Sequence, residues 1–203
     1  MDFNTTAANV SASFILILRR SIELIVTPYK TMRKISLETD FTQVYIILTI
    51  LFIYFQIAYR LKEYNYQPLR AFLFLLVNGA ATILFFYIFA RIFKKAVTIT
   101  PFIFTFIYSL IPTFIWFVTN SAFYYLLPPP RTVSILGKAF SLFFLSFSIS
   151  LLLWKLILFY LFARFSTKLP FFTLVFLICL YIAVIIPYSL MLYRLSIFRI
   201  PFL

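Results

Sequence analysis

The side chains able to do chemistry in this chain are few, and their placement narrows what they could do. Histidine is absent, Cys179 is the single cysteine, and Asp2, Glu23, Glu38, Asp40 and Glu63 are the only carboxylates. Without imidazole there is no ordinary acid–base shuttle near neutral pH and no His-based metal site. One cysteine closes no intrachain disulfide. The five carboxylates all fall in the first third of the chain, outside every long apolar run. Gly79 and Gly137, the only glycines, are too few to build a phosphate-cradling loop. The remaining Ser, Thr, Tyr and Lys side chains show no base–nucleophile pairing. The sequence therefore predicts no catalytic residue, no metal, no cofactor and no enzyme.

One charge stands out. Lys155 lies inside an apolar run, beside Trp154. An ionisable group at that depth marks a transport path by default, and at a span centre it costs about 2.5–3.5 kcal/mol on insertion scales. The alternative is snorkelling, with the lysine stem carrying the ammonium toward the Arg164 end to meet a phosphate or carbonyl. The lack of any acidic partner in the runs favours snorkelling. Asn78, in the stretch Asn78-Gly79-Ala80-Ala81-Thr82, and Ser141, Ser146, Ser148 and Ser150 could line a polar cavity. Small and hydroxyl residues in such runs serve chiefly in close helix–helix approach.

These residues are embedded in an unusually apolar chain. Of 203 residues, 64% are hydrophobic and 11% charged, with a mean hydropathy of +1.05. A soluble domain carries roughly a quarter charged residues. Lipid must serve as solvent, and in lipid only helices and closed barrels satisfy the backbone. The runs are uniformly apolar, without the alternation of barrel strands. The expected fold is all-α, a polytopic membrane bundle of about five transmembrane helices with an N-terminal interfacial amphipathic segment. The net charge of +13 does not indicate nucleic acid, because Lys and Arg punctuate the apolar runs instead of striping a soluble face.

Along the chain, residues 1–9 read as a polar, mobile tail. From Val10 to Val26 the pattern is amphipathic, with Val10, Phe14, Ile17, Leu18, Leu24 and Ile25 on one face and Arg19, Arg20 and Glu23 opposite. Thr27-Pro28 reads as an N-cap followed by Pro at the first helical position of a short basic helix to Glu38. Residues 1–38 thus form a tail and an interfacial segment, with Arg19, Arg20, Lys30, Arg33 and Lys34 against anionic headgroups. Residues 39–203 form the bundle. Its spans are expected at Phe41–Tyr59, Ala71–Ala90, Thr100–Leu127, Ala139–Ala163 and Leu169–Tyr193, with kinks at Pro112 and Pro187. Pro128-Pro129-Pro130 predicts a stiff turn after the third span.

An N-terminus in the cytoplasm puts ten Lys and Arg on that side against seven on the other, in the sense of the positive-inside rule.

The basic stretch "TPYKTMRKI" before the first span, "TPFIFTFIYSLIPTF" opening the third, and "LLWKLILFYLFARFSTKLPF" in the fourth carry a resemblance. Over about residues 20–195 the chain resembles the Yip family of multi-pass membrane domains. Tyr108-Ser109-Leu110-Ile111-Pro112 looks like the family's Tyr–Ser–x–x–Pro signature. The chain lacks the long acidic, aromatic N-terminal region of eukaryotic members and offers Phe162-Ala163 where the family often carries glycine. It therefore resembles a prokaryotic-type member. The resemblance implies a non-enzymatic accessory or scaffold subunit in the inner membrane, with anionic lipid and another membrane protein or a second copy as partners. The rival expectation is a small transporter or lipid-handling protein using the Lys155 region.

Overall fold

The computed structural model describes residues 3–62, 67–93, 97–126 and 134–194. Every element among them is an α-helix: α1 Phe3–Val26, α2 Pro28–Ile35, α3 Thr42–Lys62, α4 Pro68–Phe93, α5 Thr100–Ser109, α6 Ile111–Leu126, α7 Ile135–Thr167 and α8 Phe171–Arg194. Five spans are long and apolar enough to cross a bilayer: α3, α4, the α5–α6 pair, α7 and α8. The chain is a multi-pass membrane protein. The expected Pro128–Pro130 turn lies outside the described residues.

Proline sets several of the helix starts. Pro28, Pro68, Pro101 and Pro112 sit in the first turns of α2, α4, α5 and α6, where their missing N–H groups leave no bond unmade. Beside Pro112 the third span is interrupted at a single residue, Leu110, where α5 stops at Ser109 and α6 resumes at Ile111. Pro187 leaves α8 unbroken, at the cost of the bond to the Ala183 carbonyl. Lys168 ends α7 in the left-handed conformation, φ 53°, a position usually given to glycine.

The third span is the axis of the bundle. Across the most apolar 18 residues of each span, 56% are buried against the other helices in the third, compared with 11% in α7 and in α8. Phe86, Phe102, Phe106 and Phe159 surround Phe162 edge to face or tilted, at 5.4–6.4 Å between ring centroids. This aromatic cluster joins α4, α5 and α7. Gly79 permits the close approach of α4 to α5, since a Cβ there would stand 2.9 Å from Cε1 of Phe106.

The N-terminal region differs from its expected form at its start. Helix α1 begins at Phe3, so residues 3–9 continue the helix instead of forming a tail. Adding turns to an existing helix avoids the cost of nucleating a new one. Ile17 and Leu24 of α1, and Met32 and Ile35 of α2, share the bundle's core, packed with Val44, Ile47 and Tyr108.

Candidate functional site

Consecutive spans run in opposite directions, so the starts of α3, α5 and α8 gather with the ends of α4 and α7. Helices α1 and α2 pack on this end. The contacts agree with the arrangement: Phe41 lies 5.2 Å from Phe104, and the hydroxyls of Thr105 and Ser166 meet at 2.7 Å. Polar and charged side chains concentrate here.

A polar relay ties α1, α3 and α5 together. Asp40 caps α3, one carboxylate oxygen accepting the Thr42 N–H at 3.1 Å. Its other oxygen accepts from the Ser13 hydroxyl of α1 at 2.6 Å and from Nε2 of Gln43 at 3.3 Å. Oε1 of Gln43 in turn accepts from the Tyr108 hydroxyl at 2.7 Å, and both residues are fully buried. Burial alone pushes the Asp40 carboxyl up. The bonds from Ser13, Thr42 and Gln43 together outweigh that effect and hold it below the usual carboxylate range. Because folding lowers this pKa, the relay supports α1 docking above the ordinary value of 3.8 and loses that support as pH falls below it. A spin label at Leu18 is therefore expected to keep constant mobility above the ordinary carboxylate range and to loosen as pH falls below it. Asp40→Asn should remove that dependence; persistence of the transition in the variant would assign it to another group.

Arg20 departs from its expected role. Its side chain is only 13% exposed and forms an ion pair with Glu38, beside the Tyr108 hydroxyl. The face of α1 that meets the bundle is Ser13, Ile17, Arg20 and Leu24, spaced three to four residues apart. A bundle-facing guanidinium paired with Glu38, its Nη1 buried without a hydrogen-bond partner, is turned away from any headgroup. Arg19 is exposed and pairs with Glu23 at 2.9 Å, and Lys34 reaches the other oxygen of Glu23 at 4.0 Å. Lys30 and Arg33 are exposed, with no ion pair among the described residues.

Helix α2 buries Thr31, Met32 and Ile35 against α5 and α7, and turns its basic side chains outward. Its apolar face is thus covered by protein rather than lipid. Thr27 and Pro28 occupy the expected cap and first positions, but the Thr27 hydroxyl turns back to the Glu23 carbonyl at 3.3 Å instead of capping α2. On α1, Ile15, Leu18, Ile22, Ile25 and Val26 remain exposed.

Within the spans the polar residues hold helices together. The Tyr188 hydroxyl donates to Oδ1 of Asn78 at 3.0 Å, and the hydroxyls of Thr82 and Tyr181 meet at 2.8 Å, so two hydrogen bonds join α4 to α8. Ser148 accepts from Nε1 of Trp116 at 3.2 Å, while Ser141 and Ser150 bond carbonyls of their own helix. Lys155 is half-buried on α7, and Trp154 beside it packs on the core.

A groove of about 490 Å³ lies between α3 and α6, lined by Ile50, Ile53, Tyr54, Phe114, Val118 and Ala122 among others; Lys155 and Asn78 are not part of it. The sequence reading missed the Asp40–Gln43–Tyr108 relay. Its one visible signal was a lone Gln and a lone carboxylate at the threshold of an apolar run, where a buried polar group needs partners. Comparison with protein-family models, with curated proteins and with solved structures finds no match to this chain.

Proposed function

We propose that this chain is a non-enzymatic accessory or scaffold subunit of a prokaryotic inner membrane, with its N-terminus in the cytoplasm and its α2 end on the anionic headgroups. The observation that carries the reading is the basic end of the bundle. Arg19, Lys30, Arg33 and Lys34 turn outward from α1 and α2, with Arg91 and Lys168 exposed at the same end. Juxtamembrane Lys and Arg contribute about 1 kcal/mol each near an anionic leaflet, enough in sum to hold the segment down. The exposed apolar stripe of α1 suits the same interface. Resemblance to the Yip family belongs to this proposal, and it draws on Tyr108–Pro112, which spans the junction of α5 and α6.

The mechanism is contact. Polar residues inside the spans serve the protein's own packing, which leaves the outer faces of α7 and α8, mostly exposed, for a partner membrane protein or a second copy. The α3–α6 groove favours one alternative, lipid handling, because its walls are apolar and it opens between two spans. Affinity purification in mild detergent separates the two. A second membrane protein, or a second copy, recovered in stoichiometric amount is expected. A monomer recovered with lipid alone would replace the scaffold reading with the lipid-handling one.

A further inference from the structure

Arg164 stands one turn before the end of α7, half-exposed, and its partners are neutral. Its Nη1 donates to the Tyr160 hydroxyl at 2.9 Å, and the Tyr29 hydroxyl of α2 lies within its reach. Tyr29 is itself fixed, its ring edge-on to Phe165 at 5.0 Å. Among the described residues no carboxylate pairs with Arg164. A guanidinium offers five N–H donors in a planar fork suited to phosphate, and the two phenols use only part of it. Lys168, the exposed residue that ends α7, follows four residues on, and Arg33, four residues after Tyr29, shares that edge of α2. The C-terminal dipole of α7 opposes an anion here, but two full cations one turn apart outweigh about half a charge.

We propose that the junction of α2 and α7 is a discrete site for the phosphate of one anionic lipid. Arg164 is its central donor, Tyr29 and Tyr160 aim the guanidinium, and Lys168 and Arg33 form the rim. The inference rests on the reading that the α2 end lies in the headgroups. It adds one defined, oriented site to a diffuse basic surface. A phosphate free in solution offers the same oxygens; the lipid is favoured because Arg164 belongs to the last turn of an apolar span, where a headgroup is already at hand.

The test is native mass spectrometry on the delipidated full chain in neutral detergent, titrated with phosphatidylglycerol. One tightly retained lipid is expected for the wild type. Arg164→Gln should weaken it about tenfold, the order of a lost charge-assisted hydrogen bond. Tyr160→Phe keeps the ring, so it should weaken retention severalfold even if the Arg164 variant folds poorly. Lys30→Gln, on a basic residue outside the proposed site, should change it little. Millimolar inorganic phosphate should not displace the lipid. Equal loss in Arg164→Gln and Lys30→Gln would overturn the discrete site while leaving the headgroup-facing reading intact. Displacement by inorganic phosphate would overturn the lipid assignment. No preference for phosphatidylglycerol over phosphatidylcholine, in wild type and variants alike, would sink both.

Discussion

Arg20→Met is expected to free α1 from the bundle and to destabilise the protein by about 3 kcal/mol, the lower end of the cost of removing one member of a buried ion pair. The penalty arises mostly at Glu38, which is 19% exposed and would be left without its cation. Removing both charges is far milder, because no unpaired ion remains. Arg20→Met with Glu38→Met should therefore recover most of the loss, and a double-mutant cycle isolates the coupling. Protease sensitivity of α1 together with thermal unfolding in detergent measures it. An Arg20→Met protein with α1 still protected would mean that Ser13, Ile17 and Leu24 dock the helix without help.

The second large effect is expected at Phe162, which is fully buried and touches the rings of four other phenylalanines. In water, Phe→Ala in a core costs about 3–5 kcal/mol. In a bilayer the transfer part of that cost is small, since lipid is as apolar as the core, and lost packing remains. Phe162→Ala is therefore expected to cost about 2–3 kcal/mol and to loosen α4, α5 and α7 together. Steric-trap or detergent-denaturation measurements on the purified protein give the value. A loss confined to one helix pair, or none, would show that the cluster fills space without joining the spans.

The five crossings were legible because hydrocarbon permits little else for runs so apolar, and charged residues mark their limits. Pro112 announced an interruption for a similar reason, since a missing N–H and a ring clash are local facts. Arg20 was not legible. A helical wheel sorts side chains into faces without saying which face meets protein and which meets lipid, and here Ile17 and Leu24 pack inward while Leu18 and Ile25 stay exposed. The bond between Gln43 and Tyr108 spans 65 residues of sequence, and nothing local in either residue names the other. Asn78 lay between the extremes: its span predicted interhelical bonding, but Tyr188 as partner came only with the path of α8. Residues 3–9 read as a tail because Asn, Thr and Ala dominate them and carry no apolar period, yet α1 continues through them.

The basic α2 end on the cytoplasmic leaflet is the central claim, and cysteine labelling tests it most directly. In a Cys179→Ser background, Lys30→Cys and Lys138→Cys each place one thiol on an exposed position, at opposite ends of the bundle. With a membrane-impermeant maleimide added to sealed cells, Lys138→Cys is expected to label at once and Lys30→Cys only after the membrane is opened. Labelling of Lys30→Cys from outside intact cells, with Lys138→Cys protected, would contradict the orientation on which the proposed function stands.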